Sequence, residues 1–165
     1  MPPRKLALIG HSGSGKSEAI RLLGIDKHLA EMDCALGTGT KVPTLTEALT
    51  WLTDGTEGQS VVVVSNHEEM LGAMLRAKQA GECADRFAQL FLVYLCKPLD
   101  RLQRHLGRLT AAGDRRPVSC QQYTLARYRP FHELFAGLAD RTVDIGLQSA
   151  REVVDIISCI LSEIA

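Results

Sequence analysis

The stretch Gly10-His11-Ser12-Gly13-Ser14-Gly15-Lys16-Ser17 decides how this chain reads. It fits the pattern G-x-x-x-x-G-K-[ST] at every fixed position. Leu6 to Ile9 before it is an apolar run of strand length, and Glu18 to Leu23 after it has a helical pattern. The composition has a chemical reason. Backbone N–H groups from about Ser12 to Ser17 must converge on phosphate oxygens, and glycine permits the conformations and close approach this needs. The start of the following helix adds partial positive charge. Lys16 is suited to the β- and γ-phosphates, and the Ser17 hydroxyl to one position on Mg²⁺. Ser12, Gly13, Ser14, Gly15, Lys16 and Ser17 are thus the expected nucleotide-binding residues.

Working outward, apolar runs alternate with helical patterns along the chain. Residues 60–66, Ser-Val-Val-Val-Val-Ser-Asn, and 90–96, Leu-Phe-Leu-Val-Tyr-Leu-Cys, read as strands, as does Lys5 to Ile9. Leu29 to Met32 and Arg141 to Ile145 are weaker strand candidates. Continuous rather than alternating apolar runs point to a parallel sheet covered on both faces. Helix starts are marked by capping-box spacing at Thr44 and Glu47, at Asn66 and Glu69, and at Ser149 and Glu152. Val153, Ile156, Ile157, Ile160, Leu161 and Ile164 form an apolar stripe on the last helix. The β-α-β-α order predicts a doubly wound α/β domain over residues 1–165, with its ligand beyond the carboxyl ends of the strands.

Composition narrows the partners. The 165 residues carry 19 Lys plus Arg against 19 Asp plus Glu, so bulk positive charge does not hold this chain on nucleic acid. No apolar run approaches the roughly 20 residues of a membrane span, and the basic start is followed by too short an apolar stretch for a signal peptide. The expectation is a cytoplasmic protein with a small-molecule partner and neither nucleic acid nor membrane, as a monomer or weak homodimer. Cys34, Cys83, Cys96, Cys120 and Cys159 lack zinc or redox spacings and read as reduced thiols. No Asn-Lys-x-Asp guanine-reading motif is found; Cys96-Lys97-Pro98-Leu99-Asp100 lacks its asparagine. A small nucleotide or metabolite kinase is the class that remains.

Charge is unevenly placed. From Arg101 to Arg129 there are seven arginines, no lysine and one acid, Asp114. The planar guanidinium suits phosphate oxygens, and breaks at Gly107, Gly113 and Pro117 suggest a segment that closes over polyphosphate. His67 and Glu68 follow the Val61 to Val64 run. They could face the acceptor and the Mg²⁺ shell, or simply open a helix whose dipole Glu68 and Glu69 complement. His11 reads as loop filler, and Trp51 as core of the helix after Thr44.

Together these residues resemble the shikimate kinases among the P-loop kinases, over nearly the whole chain. Beside the phosphate loop, Glu31-Met32-Asp33 resembles that family's Asp-x-Asp motif. Leu106-Gly107-Arg108 through Arg115-Arg116-Pro117 resembles its lid, and Arg127 to Phe135 with Ala139-Asp140 resembles the helix and turn before its last strand. The resemblance implies a five-stranded parallel sheet flanked by helices on both faces, with a lid over residues 101–129 and an acceptor region over 34–58. It implies ATP and Mg²⁺, with Glu31 supporting the metal through water. It implies Asp33 at the acceptor hydroxyl, Arg116 on the transferring phosphates and Arg108 near the adenine. Lys16, Asp33 and Arg116 are then the catalytic set.

The departures bear on the acceptor. The family's Gly-Gly-Gly segment is replaced by Ser65-Asn66-His67-Glu68, and no arginine occurs between Lys41 and Arg76. A further acceptor arginine falls on Tyr128, flanked by Arg127 and Arg129. The acceptor-side candidates are Asp33, His67, Glu68, Arg127 and Arg129. The reading is an ATP-dependent kinase of a small hydroxyl-bearing metabolite, not shikimate-specific. The alternatives are a nucleotide-binding module with a degenerate acceptor site, or another metabolite kinase of gluconate or dephospho-coenzyme-A type.

Overall fold

In the computed structural model, five strands form one parallel sheet: β1 (Lys5–Ile9), β2 (Leu29–Glu31), β3 (Val61–Val63), β4 (Leu90–Cys96) and β5 (Arg141–Asp144). The structure describes residues 4–23, 29–31, 42–56, 58–111 and 118–165, with backbone alone at 17, 20, 29–31, 109–110 and 118–121. The strand order is β2-β3-β1-β4-β5. Leu6 pairs with Val61 on one side and Phe91 on the other, and Val93 pairs with Arg141.

The continuous apolar runs are explained by helices on both faces. Alternate residues of a strand point to opposite faces. Ala7, Ile9, Val62, Leu92 and Tyr94 therefore enter one core, and Leu6, Leu8, Val61, Val63, Val93 and Leu95 the other. The first core is closed by α2 (Leu45–Thr53), α3 (Glu68–Gln79) and α7 (Tyr128–Leu138), through Leu49, Leu52, Leu71, Met74 and Phe135. Trp51 packs at its edge, as its position in the α2 pattern predicts. The second core is closed by α1 (Lys16–Leu22) and α8 (Ala150–Ile164), through Ala19, Val153, Ile157 and Ile160. Each large aliphatic side chain so buried contributes about 1.5–3 kcal/mol. The remaining helices are α4 (Ala84–Phe87), α5 (Leu99–Ala111) and α6 (Val118–Ala126).

Two of the three expected helix caps form. The Thr44 side chain accepts from the Glu47 N–H, and Ser149 and Glu152 make a reciprocal capping box. The third does not. His67, not Asn66, is the N-cap of α3, and it makes no side-chain cap bond. Asn66 is engaged elsewhere. Asp140 also proves structural: its carboxylate accepts from the Leu92 N–H at 2.8 Å and from Lys78 at 3.0 Å, seating β5 beside β4.

This topology places the site. The connection leaving β1 runs to α1 on one face, and that leaving β3 runs to α3 on the other. The carboxyl ends of these neighbouring strands therefore diverge into a crevice. The phosphate loop and Ser65 to Glu68 both lie there. No helix among the described residues is long and apolar enough to cross a membrane. Among the same residues Cys83, Cys96 and Cys159 are free thiols, while Cys34 lies outside them.

Candidate functional site

The loop after β1 has the backbone its glycines predict. Gly13 and Gly15 adopt φ of +85° and +89°, a region that L side chains rarely occupy. A Cβ on Gly15 would meet nothing within 4 Å, so space lies open above the loop there. At Gly13 it would stand 2.9 Å from Leu106 Cδ2, so α5 rests directly on the loop. Ser14 donates its N–H to the His11 carbonyl at 3.0 Å, while its buried Oγ has no hydrogen-bond partner. An orphaned hydroxyl in a ring of backbone donors fits a phosphate oxygen. Lys16 folds back, donating to the Gly10 carbonyl and, at 3.2 Å, to that of His11.

Asn66 closes the loop from the β3 side. Its Nδ2 donates to the Gly10 carbonyl at 2.9 Å, and its buried Oδ1 has no partner. The helix-cap expectation fails because the amide is oriented by its Nδ2 bond to the Gly10 carbonyl, beyond the neighbouring strand β1, and its Oδ1 accepts from no N–H of α3.

His11 is the residue that sequence reasoning passed over. It is 2% exposed, far from loop filler. Its Nε2 pairs with the Tyr128 carbonyl at 2.9 Å, its ring stacks on the Tyr128 ring, and the Phe135 ring meets it nearly at right angles with centroids 5.2 Å apart. Tyr94 Oη bonds His132 Nδ1 at 2.8 Å and reaches His11 Nδ1 at 3.4 Å. Burial, with smaller contributions from Lys16 and His132, lowers the His11 pKa to about 4. At neutral pH His11 is therefore an uncharged strut between the phosphate loop and α7. Desolvation raises the pKa of Tyr94 and takes that of Tyr128 to about 12, so both phenols stay neutral donors.

Among the described residues, two cavities adjoin the loop. The first, about 460 Å³, is lined by Ser14, Gly15 and Glu18, by Lys97, Arg101, His105 and Arg108, and by Gly146, Gln148 and Val153. Three cationic side chains facing the phosphate loop make this a basic cleft. Burial lowers the Lys97 pKa, and the Arg108 charge lowers it further. Arg108 thus lines the same cleft as Ser14 and Gly15. The second cavity, about 60 Å³, is lined by His11, Ser12, Asn66, Tyr123, Thr124 and Phe131.

The other acceptor-side candidates separate. Glu68 and Arg127 come together, the guanidinium Nη2 donating to the carboxylate Oε1, with both side chains half-buried. His67 caps α3 beside them. Arg129 does not join: it is 90% exposed and lies 3.8 Å from Glu133 on the next turn. Glu31 ends β2 at the same edge of the sheet as Ser65 to Glu68, with its backbone alone described, as is also the case for Ser17. Asp33 and Arg116 lie outside the described residues. Among the described residues no three His, Cys, Asp or Glu side chains cluster to hold a metal.

No family model matches the chain, and none of the curated proteins does. Solved structures do. The shikimate kinase from Acinetobacter baumannii in complex with shikimate matches over 98% of this chain and 95% of its own, at 16% identity and a TM-score of 0.59. A gluconokinase from Sinorhizobium meliloti 1021 matches over 99% and 94%, at 18% identity and a TM-score of 0.55. The shikimate kinase from Bacteroides thetaiotaomicron matches over 96% and 98%, at 14% identity and a TM-score of 0.58. At such identities the likeness is one of fold: the α/β parallel sheet, helices on both faces, that these P-loop kinases share.

Proposed function

We propose that this chain is an ATP-dependent kinase that transfers the γ-phosphoryl group to a hydroxyl of a small metabolite, and that shikimate is not its preferred acceptor. The observation that carries this is the placing of the phosphate loop between two unlike cavities. A basic cleft lies against Ser14 and Gly15, and an uncharged pocket against His11 and Ser12. A nucleotide in the first and a hydroxyl compound in the second would meet at the loop.

The residues divide the work. Backbone N–H groups of Ser12 to Ser17 hold phosphate oxygens, and Lys16 exchanges its loop carbonyls for them. Arg108, with Lys97 and Arg101, lines the nucleotide cleft. Mg²⁺ would be held by Ser17 and Glu31, hard oxygen donors of the number that ion takes from protein in phosphoryl transfer. Glu68 is the weaker metal candidate, because Arg127 already holds it. When bound, the ion supplies charge neutralisation between the phosphates. Asp33 would orient the acceptor hydroxyl and accept its proton, and Arg116 would stabilise the transferring group from a lid spanning residues 101–129. Catalysis here is positioning and charge neutralisation, not covalent chemistry.

The test is ADP release from Mg²⁺-ATP over a metabolite panel, with Lys16→Ala as control. Saturable acceptor-stimulated turnover that the variant loses supports the kinase. Tight ATP binding with no stimulation by any metabolite supports the nucleotide-binding module instead.

A further inference from the structure

We propose that Asn66 is a positioning residue that keeps the Gly10 carbonyl satisfied when a nucleotide draws Lys16 away, so that the phosphate loop holds its shape with its lysine released. The handover rests on the nucleotide reading of the loop; the sharing of the carbonyl does not.

Two donors converge on one oxygen. Lys16 Nζ donates to the Gly10 carbonyl, and Asn66 Nδ2 donates to the same atom at 2.9 Å. A carbonyl oxygen has two lone pairs and accepts both bonds at once. Gly10 is buried, directly after β1. It is also hemmed in: a Cβ there would stand 2.9 Å from the Leu95 carbonyl oxygen and 3.0 Å from Ser14 Oγ. The peptide has little room to turn its oxygen towards another donor.

The two donors differ in what they can do next. Lys16 is a point charge on a flexible stem at the start of α1, suited to the β- and γ-phosphates. Asn66 is held from outside the loop. The Val64 N–H bonds the Leu8 carbonyl at 3.1 Å, which carries the β3–β1 ladder to within two residues of Asn66. Its Oδ1 has no partner that would turn the amide another way.

When Lys16 turns to a phosphate, the Gly10 carbonyl loses that bond. Without Asn66 it would become a buried acceptor with neither donor, which is costly. With Asn66 in place the cost does not arise, and the end of β1 stays fixed beneath the phosphates. In the ligand-free loop the same arrangement is a reserve, since either donor alone satisfies the carbonyl.

The test compares wild type, Asn66→Leu, Lys16→Met and the double variant. The new side chains fill similar space and donate nothing. Urea denaturation without ligand reads the sharing. Each single variant should move the midpoint little. The double variant should move it by clearly more than the two shifts added, because only there does Gly10 lack both donors. Fluorescent ATP titration with Mg²⁺ reads the handover. Asn66→Leu should weaken ATP about tenfold when Lys16 is present, the order expected for an orphaned buried acceptor. Beside Lys16→Met the same change should weaken ATP less than twofold. A residue that merely shapes the loop would destabilise the ligand-free single variant and weaken ATP equally in both backgrounds, and that pattern would overturn the proposal. Additive midpoint shifts would overturn it too, by showing that the donors do not back each other up. Synergy in the midpoints with ATP affinity untouched by Asn66→Leu would sink the handover and leave the nucleotide reading intact. A folded wild type that binds no ATP would sink the nucleotide reading and the handover with it.

Discussion

The ring of His11 lies flat on that of Tyr128, with centroids 4.1 Å apart and planes within 4° of parallel. One belongs to the phosphate loop and the other opens α7. The stack, with the His11 Nε2 contact to the Tyr128 carbonyl, ties the glycine-rich loop after β1 to the helix α7.

That strut predicts an acid sensitivity. The His11 pKa in the fold is about 4, below its ordinary 6.5. Between those values the unfolded chain binds a proton that the folded chain does not, so stability falls as pH drops from about 6.5 towards 4. The full window is worth about 3 kcal/mol. His11→Phe, which cannot titrate, should lose about 1 kcal/mol at pH 7.5 with its hydrogen bond. It should also fall less steeply than wild type between pH 6.5 and 5. Urea denaturation midpoints across that range would show it, and parallel slopes would refute the assignment.

Lys16→Ala should remove phosphoryl transfer while the fold survives. Its ammonium donates to loop carbonyls, and it is absent from both cores. A loss on the order of 10²- to 10³-fold or more in turnover is expected, by analogy with removal of one oxyanion donor. ADP release and thermal melting on the same sample separate the two effects.

Gly13→Ala should damage the site by a different route. The new methyl group would press on Leu106 while the backbone held φ near +85°. Strain and overpacking of this kind each cost about 1–3 kcal/mol. Nucleotide affinity, read by fluorescent ATP titration, should fall with stability. Gly58→Ala, also at positive φ but with open space around it, should leave nucleotide affinity unchanged.

The arginines should not be equivalent. Arg108→Ala should weaken nucleotide binding, because that side chain lines the basic cleft. Arg129→Ala should be silent, because the side chain is in water. Arg116→Ala should lower turnover more than ATP affinity, with the adjacent Arg115→Ala as its control. If Arg115 proved the crippling position, the lid residues would be misassigned by one.

What could be read from sequence was local. The phosphate loop and the caps at Thr44 and Ser149 are decided by residues within one or two turns of each other. The errors arose where a distant residue competed. Asn66 has good cap spacing, yet it bonds Gly10, 56 residues away. His11 is buried by Tyr94 and Tyr128, 83 and 117 residues distant, which no local pattern reveals. Arg127 and Arg129 look interchangeable in sequence. Arg127, at the N-cap of α7, reaches Glu68, 59 residues away, while Arg129, inside the helix, points to solvent.

The packing of α1 against α8 has a consequence for biosynthesis. The helix that carries Lys16 and Ser17 precedes by about 130 residues the side chains that close its core, Val153, Ile157 and Ile160, and so is made before them. Contacts so far apart in sequence reward the chain only after a long loop has closed. A nascent chain arrested before residue 150 therefore carries the whole phosphate motif without the support that shapes it. Retention of such chains on immobilised ATP should begin only when residues 150–164 have cleared the ribosome.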